Sequence, residues 1–339
     1  MFARLSAWKE VIDTANLSAD KPMDAVSKWL IITRAAVFSM TLTSGLIGAM
    51  LAIQSAPGSV HYGYLALAVL GIVIAHAANN IINDYFDLEV GIDTAGYVRA
   101  QYAPHPILSG MVTRAQLRAA ILLLNAVDLG ILVFLVIARG WPVAVFALLG
   151  LFISVFYVAP PISLKRHGLG EPGVFLVWGP LMIGGTYFVA TGTIPEWVWV
   201  ASLPYAILVT TVLMGKHIDK IAADAPMGIR TLPVILGERN ARLLNAALMI
   251  AFYPIVLGAA AVGWIGPWVA LVGFGIPRLA SVLRTYAKPK PDSPPGSYVG
   301  WPLWFVGASF IHTRRAGALL VLGLFLNIVL PVHLPWLPA

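Results

Sequence analysis

Long apolar runs recur along the whole chain, and they restrict its fold more than any other feature of the sequence. A run of about 17 to 25 apolar residues is long enough to cross the hydrocarbon core of a bilayer as an α-helix. Such runs lie near residues 29–53, 62–83, 116–138, 141–158, 172–190, 198–215, 243–262, 265–283 and 316–337. Because backbone polar groups must be paired inside lipid, the runs predict an all-α polytopic membrane protein with about nine transmembrane helices. A shorter stretch at 301–312 predicts an interfacial or re-entrant piece.

The composition is typical of a chain that lies almost wholly in a membrane. Hydrophobic residues make up 59% of the sequence and charged residues 11%, with no hydrophilic block long enough for a soluble domain. We therefore expect a cytoplasmic N-terminal segment at 1–28 and a single transmembrane domain at 29–339. The absence of cysteine from the sequence excludes disulfides, thiolate metal sites and thiol nucleophiles.

Basic residues cluster in every second loop between the runs, and this bias indicates the orientation of the chain. The loops after the second, fourth, sixth and eighth runs hold many lysines and arginines, whereas the opposite loops hold only Arg139. Positively charged loops stay in the cytoplasm, so we expect a multi-pass protein of a bacterial or archaeal cell membrane with its N-terminus in the cytoplasm. The net charge of +7 indicates topology and attraction to anionic lipid headgroups, and the alternative is that part of it holds an anionic substrate. We expect no nucleic acid partner.

Two acidic clusters at the ends of apolar runs follow one pattern, D-x-x-x-G-I-x-T. The first copy spans 87–94 and the second spans 224–231. Four runs separate the copies, so an even number of crossings returns both to the same membrane face, the one predicted to be cytoplasmic. Carboxylates at such positions are costly unless they hold a cation, so the repeat predicts a metal site shared by two halves of the chain.

The first copy carries the richer set of oxygen ligands. On a helix, Asn80, Asp84 and Asp87 form one polar stripe, with Asn83 beside Asp87. Carboxylate and amide oxygens suit hard cations, and Mg2+ binds through one or two carboxylates together with substrate phosphates and water. The stripe therefore predicts a magnesium site for a diphosphate substrate. The alternative is a helix end that is solvated by its acids and amides.

The second copy is less acidic. His217, Lys220 and Asp224 share the corresponding helix face, while Asp219 points away from it in an unbroken helix. A histidine at a membrane helix end is more often a hydrogen-bonded interfacial residue than a metal ligand, and Mg2+ does not favour imidazole. Lys220 is either an ion-pair partner of Asp224 or a direct contact to phosphate.

Two segments of the chain resemble the aspartate motifs of the UbiA superfamily of intramembrane prenyltransferases. They are 83–87 (Asn-Asp-Tyr-Phe-Asp) with Gly91 and Asp93, and Asp224 with 228–232 (Gly-Ile-Arg-Thr-Leu) and 236–237. The resemblance extends from about residue 30 onward. Within the superfamily, four further segments are similar to the 1,4-dihydroxy-2-naphthoate prenyltransferases of menaquinone synthesis. These are 157–161, 167–171, 179–181 and 185–188.

The resemblance implies a helical bundle around a cytoplasm-facing cavity. In that cavity Mg2+ bridges the aspartates to a polyprenyl diphosphate, whose prenyl group passes to a small aromatic acceptor in quinone biosynthesis. The implied acceptor is 1,4-dihydroxy-2-naphthoate, for menaquinone, or a compound like 4-hydroxybenzoate, for ubiquinone. The expected partners are therefore the polyprenyl diphosphate, the aromatic acceptor and the lipid bilayer.

Position in the motifs or next to them gives individual residues their expected roles. The expected catalytic residues are Asp84, Asp87 and Asp224, acting as metal ligands rather than as acids or bases. The expected metal-binding set is Asn83, Asp84, Asp87, Asp93 and Asp224, with Asp219 as a further candidate. The expected diphosphate contacts are Asn83, Arg99, Lys165, Arg166, Lys220 and Arg230. The expected prenyl and acceptor pocket contains Asn80, Tyr157, Tyr187 and His217.

The chain departs from the family pattern at Lys220. The family usually has an acid four residues before the last aspartate, and this chain has Lys220 there, with Asp219 displaced by one position. In a regular helix the site loses a carboxylate and gains a cation, whereas a locally broken helix lets Asp219 reach the metal. We therefore expect at least one Mg2+.

Two other classes of function fit the same features. One is a transferase of the same fold with another acceptor or donor, such as a porphyrin or chlorin, a glycerol-phosphate lipid or phosphoribosyl diphosphate. The other is a cation-coupled transporter, whose ion-binding carboxylates lie near the middle of the membrane. The acids here cluster at one face instead, which argues against transport.

Overall fold

The structure is a computed structural model, and it describes residues 2–296, 298 and 300–332. All the secondary-structure elements assigned in these residues are helices, which confirms the all-α class. The α-helices are α1 (Phe2–Thr14), α2 (Ala25–Ile32), α3 (Phe38–Ser55), α4 (Tyr62–Glu89), α5 (Val98–Tyr102), α6 (Arg114–Arg139), α7 (Pro142–Phe156), α8 (Gly170–Leu176), α9 (Gly185–Thr191), α10 (Glu196–Asp224), α11 (Leu232–Leu236), α12 (Glu238–Ala261), α13 (Ile276–Tyr286) and α14 (Phe305–Val329).

Seven helical segments of the described residues are long and apolar enough to cross a membrane. They are Ala35–Ser55, Tyr62–Glu89, Arg114–Arg139, Gly170–Thr191, Glu196–Met227, Glu238–Ala261 and Phe305–Val329. Helix α7 is apolar but shorter, and the run predicted at 265–283 forms a 3-10 helix at Pro267–Gly275 that continues into α13. The total of nine crossings stays a prediction.

Helix α10 lies at the centre of the bundle, whereas α6 and α7 lie at its periphery. α10 packs against α12, α14 and the Gly170–Thr191 segment. Large apolar side chains of α6, among them Leu122, Leu123 and Ile137, are exposed on the outer surface. Apolar surface of this extent is stable in contact with lipid rather than water, so the chain is a multi-pass integral membrane protein.

The Gly170–Thr191 segment is widened in its middle by a π-helical stretch, Val177–Gly184. Pro180 lies inside the stretch and has no N–H for the helical ladder, which favours such a local change. Gly179 lets the stretch approach α10, because a Cβ there would lie 2.5 Å from the Cβ of Ala206. The stretch places the side chains of Trp178 and Met182 on the wall of a cavity within the bundle.

Both acidic turns lie at the same end of the bundle, as the even number of crossings predicted. The loop after α7 joins the second turn, because the N–H of Arg230 donates to the C=O of Arg166 at 3.3 Å. The same loop reaches the first turn, since the ammonium of Lys165 lies 2.8 Å from a carboxylate oxygen of Asp87. The side of the membrane that this end faces stays a prediction.

The N-terminal segment packs on this end of the bundle. The indole N–H of Trp8 in α1 donates to the carboxylate of Asp24 before α2, at 3.0 Å. The side-chain amide of Asn16 donates to the C=O of Tyr102 at 2.7 Å, and Ala15 lies at the edge of the cavity. The assignment of 1–28 as a cytoplasmic segment of its own stays a prediction.

The last long helix begins earlier than the sequence predicted. α14 starts at Phe305, so residues 305–312 form its first turns. The prediction of a separate interfacial or re-entrant piece at 301–312 is therefore wrong for residues 305–312. Of the span predicted at 316–337, residues 333–337 lie outside the described residues.

The carboxylate of Asp219 caps the start of α14. Its oxygens accept hydrogen bonds from the backbone N–H groups of Trp304, Phe305 and Val306, at 2.9, 3.0 and 3.0 Å. N–H groups at a helix start have no partner within the helix, and the helix dipole favours a negative charge there. Because α10 continues unbroken to Asp224, Asp219 points away from the acidic stripe, and the expectation that it binds the metal is wrong.

We expect Asp219→Ala to destabilise the protein without removing its metal binding. The change takes an acceptor from three N–H groups, and the loss of an aspartate cap costs about 0.5–2 kcal/mol in helices. The midpoint of thermal unfolding in detergent solution falls, and it falls less in Asp219→Asn, which keeps one acceptor oxygen. Loss of Mn2+ binding at an unchanged unfolding midpoint contradicts the capping role.

Candidate active site at the paired acidic turns

The two copies of the repeated pattern form turns of the same geometry. In each copy the aspartate lies in the last turn of a long helix, and the glycine has a positive φ, +74° at Gly91 and +68° at Gly228. The N–H of the next isoleucine donates to the C=O of the aspartate, at 2.8 Å for Ile92 and 3.1 Å for Ile229. A left-handed residue after a helix permits this bond, which explains why glycine stands in both copies.

The two turns meet through their isoleucines. Ile92 is 2% exposed and Ile229 is 0% exposed, and both belong to one apolar cluster with Tyr97. The hydroxyl of Tyr97 donates a hydrogen bond to the carboxylate of Asp224. The loop of the first turn thus contacts the acid of the second, and the repeat brings two halves of the chain together as the sequence predicted.

Asp84 holds two arginines in fixed positions. Its carboxylate is fully buried and accepts two hydrogen bonds from Arg99, each 3.0 Å long. The guanidinium of Arg34, just before α3, donates to the same carboxylate. Bidentate contacts between guanidinium and carboxylate are strong and directional. Both oxygens of Asp84 are therefore engaged in this structure.

Asp87 pairs with Lys165, from the loop after α7, at 2.8 Å. Burial lowers the pKa of the Lys165 ammonium, but the carboxylates of Asp87, Asp224 and Asp93 outweigh burial and raise that pKa above its usual value. Lys165 therefore stays charged at neutral pH. Its interaction with acids from both copies indicates that the two turns border one small volume.

Asp224 is fully buried between Tyr97 and Lys220. The ammonium of Lys220 lies 3.6 Å from Oδ1 of Asp224 and 4.4 Å from the centre of the Tyr97 ring. Burial and the Asp224 carboxylate raise the pKa of Tyr97 far above its usual value, so its hydroxyl stays a hydrogen-bond donor. Of the two alternatives at the second motif, the structure has the regular helix with Lys220 beside Asp224.

Asp93 is buried beside His105, whose Nε2 lies 3.4 Å from the Asp93 carboxylate. One ligand atom from each of Asp84, Asp93 and His105 lies within 4.8 Å of the other two. Because two arginines already engage Asp84, this group offers only one uncommitted carboxylate. It is a poorer site for Mg2+ than the oxygens between the two turns.

A cavity of about 480 Å³ adjoins the acidic turns. Polar and charged side chains line the part of its wall next to Asp84, and they include Arg34, Asn80, Asn83, Arg99, Tyr157 and Lys216. The remaining wall is mostly apolar, and Ile72, Phe146, Leu181 and Val209 belong to it. An apolar cavity with a cationic end suits an amphiphilic molecule with an anionic head.

Two of the four residues predicted for the pocket do not line it. Tyr187 is 2% exposed and packs in the core, where its hydroxyl lies 2.8 Å from the hydroxyl of Ser55. His217 is buried behind Tyr157, and its Nδ1 lies 2.6 Å from the carboxylate of Glu171. Both expectations are wrong because the rotation of each helix turns the side chain away from the cavity.

Among the basic residues, Lys216 lines the cavity, although it was not among the expected diphosphate contacts. Residues 216, 220 and 224 share a helix face, so the sequence contained this signal. In the part of the chain that the structure describes, Lys216 makes no ion pair, unlike Lys165 and Lys220. Arg166 is half-buried and Arg230 is exposed, and neither lines the cavity.

Three buried oxygens at the two turns are of the chemical type that Mg2+ takes as ligands. Within the described residues, Oδ1 of Asn83, Oδ1 of Asp87 and Oδ2 of Asp224 are buried without a hydrogen-bond donor. Buried acceptors without partners are uncommon in proteins, and a bound cation is one way to satisfy them. Two carboxylates and an amide, completed by phosphate oxygens and water, are oxygen ligands of the kind that Mg2+ takes.

Comparison with known proteins identifies the family. The sequence model of the UbiA prenyltransferase family matches residues 41–306. Because the match covers well over half of its length, the chain belongs to the UbiA prenyltransferase family and is a prenyltransferase. The resemblance carried by the two aspartate motifs is thereby confirmed.

Two relatives carry different enzyme names. The 1,4-dihydroxy-2-naphthoate octaprenyltransferase of Bacillus subtilis (strain 168) is 27% identical over 212 residues, which cover 62% of this chain and 67% of the relative. The digeranylgeranylglyceryl phosphate synthase of Thermococcus gammatolerans is 26% identical over 221 residues, which cover 63% of this chain and 72% of the relative.

Solved structures of the family have the same fold. A UbiA homologue from Aeropyrum pernix K1, in its apo form, superposes with a TM-score of 0.64 at 17% identity, covering 86% of this chain and 97% of that one. A UbiA homologue from Archaeoglobus fulgidus bound to GPP and Mg2+ gives a TM-score of 0.59 at 14% identity, covering 89% of this chain and 100% of that one. At such low identity the likeness establishes the fold alone.

We expect Lys216→Ala to weaken the binding of inorganic diphosphate. Hydrogen bonds to charged groups contribute about 1.5–3 kcal/mol, which corresponds to roughly tenfold or more in Kd. Calorimetry on the purified protein with Mg2+ measures the change. Lys288→Ala, at an exposed lysine, is the matched control and leaves the Kd unchanged. Equal diphosphate affinity in Lys216→Ala and the unaltered protein contradicts binding at this end of the cavity.

Proposed function

We propose that this prenyltransferase transfers a polyprenyl group from an allylic diphosphate to a small hydroxylated aromatic acceptor, with Mg2+ as cofactor. The observation that carries the proposal is the cavity, whose apolar wall leads to a cationic end beside the two acidic turns. A polyprenyl diphosphate has the same division into an apolar chain and an anionic head. We place the reaction at the cytoplasmic face of the membrane, on the basis of the basic loops at this end of the bundle.

Cations from four parts of the chain bind the diphosphate head in this proposal. They are Arg34 before α3, Arg99 on α5, Lys165 after α7 and Lys216 on α10. Asp84 orients Arg34 and Arg99, so their charges are in place before the substrate arrives. Asn83, Asp87 and Asp224 would hold Mg2+, which would supply further positive charge at the leaving group.

The transfer breaks the bond between the allylic carbon and the diphosphate oxygen. The electron pair stays with the diphosphate, where the fixed cations stabilise the new negative charge. The ring face of Tyr157 stabilises the cationic allylic carbon. A ring carbon of the acceptor then forms the new C–C bond and loses its proton or its carboxyl group. The apolar wall, which includes Phe146 and Trp178, excludes water that would otherwise quench the allylic cation.

For the acceptor we propose 1,4-dihydroxy-2-naphthoate, and hence a role in menaquinone biosynthesis. The support is the likeness to the Bacillus subtilis enzyme of that name, together with the similarity of the middle of the chain to naphthoate prenyltransferases. Prenyl transfer to a benzoate acceptor of the ubiquinone pathway is the same reaction and uses the same residues of the site. The likeness to the Thermococcus enzyme makes a glycerol-phosphate lipid the second candidate acceptor.

An acceptor panel tests this proposal. Purified protein is incubated with Mg2+, geranylgeranyl diphosphate and one acceptor at a time, and products are identified by mass spectrometry. The acceptors are 1,4-dihydroxy-2-naphthoate, 4-hydroxybenzoate and geranylgeranylglyceryl phosphate. We expect a prenylated product from the naphthoate that lacks the carboxyl group, together with released diphosphate, and neither of them when EDTA removes the metal.

Each other outcome has a definite meaning. A product from the glycerol-phosphate lipid alone replaces the proposed acceptor with the second candidate. A product from 4-hydroxybenzoate alone moves the enzyme to the ubiquinone pathway. Folded protein that releases no diphosphate with any of the three acceptors contradicts the proposed reaction.

A further inference from the structure

We propose that the ammonium of Lys220 takes the place of a second divalent ion, so that the site binds one Mg2+ and uses Lys220 as a fixed internal cation. The proposal rests on the proposed function, because it concerns how the same site holds a diphosphate. It goes beyond that function by assigning the number of ions and a role for the lysine that replaces an acid in the second motif.

The structure holds Lys220 in place at the second acidic turn. The residue is 4% exposed, and its ammonium lies 3.6 Å from Oδ1 of Asp224 and 4.4 Å from the centre of the Tyr97 ring. The Tyr97 hydroxyl donates to the same oxygen. One side of the Asp224 carboxylate is therefore occupied by two fixed groups of this chain, whereas Oδ2 is buried without a donor among the described residues.

The side-chain oxygens that remain free to bind a metal suffice for one ion. Oδ1 of Asn83, Oδ1 of Asp87 and Oδ2 of Asp224 are the buried oxygens at the two turns that lack a donor among the described residues, and with diphosphate oxygens and water they would complete the shell of one Mg2+. A second ion needs carboxylates of its own. The other acids near the turns do not supply such a set, because two arginines engage Asp84 and three backbone N–H groups engage Asp219. Asp93 is left as a single carboxylate, with His105 beside it at 3.4 Å.

The charge of Lys220 also disfavours a second ion directly. An ion bound at Oδ1 of Asp224 would lie next to the ammonium, and two cations at such a separation in a buried site repel each other strongly. A lysine ammonium is a compact point charge that binds phosphate oxygens well. Lys220 thus supplies positive charge to the diphosphate where a carboxylate at this position would instead recruit a metal ion.

The number of bound Mn2+ ions tests the proposal. The full chain in lipid nanodiscs is titrated with Mn2+ in the presence of inorganic diphosphate, and the EPR signal of free Mn2+ counts the bound ions after subtraction of a protein-free control. We expect one Mn2+ per chain in the unaltered protein. We expect two in Lys220→Asp, which introduces the missing carboxylate, and one in the matched control Lys288→Asp, at an exposed lysine.

The proposal is overturned if the unaltered protein binds two Mn2+ ions or none, or if folded Lys220→Asp binds only one. If Lys220→Asp does not fold, Lys220→Ala replaces it: one ion stays bound, and the affinity for diphosphate falls by roughly tenfold or more because one charge is lost. Unchanged diphosphate affinity in Lys220→Ala overturns the role of the lysine. The ion count needs no acceptor, so it is independent of whether the acceptor panel yields a product.

Discussion

The pairing of buried carboxylates with basic side chains is the interaction on which the rest of this structure depends. Removing one partner of a buried ion pair leaves an unpaired charge that costs about 3–5 kcal/mol, so acids placed at the ends of membrane helices have to meet cations. Here Asp84 pairs with Arg34 and Arg99, and Asp87 pairs with Lys165 from the loop after α7. Asp224 pairs with Lys220, one turn earlier on the same helix. The pairs of Asp84 and Asp87 join α4 to α5, to the segment before α3 and to the loop after α7. Arg34 and Arg99 thereby form part of the cationic end of the cavity.

In the proposed function, the same pairs prepare the site for a diphosphate. Cations that are held in place by carboxylates need little rearrangement when an anionic substrate binds, and this preorganisation stabilises charge that develops on a leaving group. Three buried oxygens, from Asn83, Asp87 and Asp224, have no donor in the described part of the chain. A site built in this way combines fixed cations for the diphosphate with a small set of oxygens for a metal ion.

Much of the fold and the centre of the site could be predicted, because the signals are local. Seven of the nine apolar runs contain segments long enough to cross a membrane, and the D-x-x-x-G-I repeat predicted that two acidic segments lie at the same end of the bundle. The errors concern contacts between distant residues. Asp219 meets the backbone at 304–306, and His217 meets Glu171, and neither partner can be read from the spacing along one helix. The position of Lys216 at the site could be predicted, because it shares a helix face with residues 220 and 224. Its charge was instead attributed to the orientation of the chain in the membrane.

The central claim is that both acidic turns bind one cation together with the diphosphate head. Anomalous X-ray diffraction from crystals that contain Mn2+ and inorganic diphosphate tests it most directly. The account predicts one manganese peak in contact with carboxylate oxygens of both Asp87 and Asp224, at about 2.0–2.3 Å, and with an oxygen of the diphosphate. A peak bound by only one of the two turns, or one at Asp84, Asp93 and His105, contradicts it.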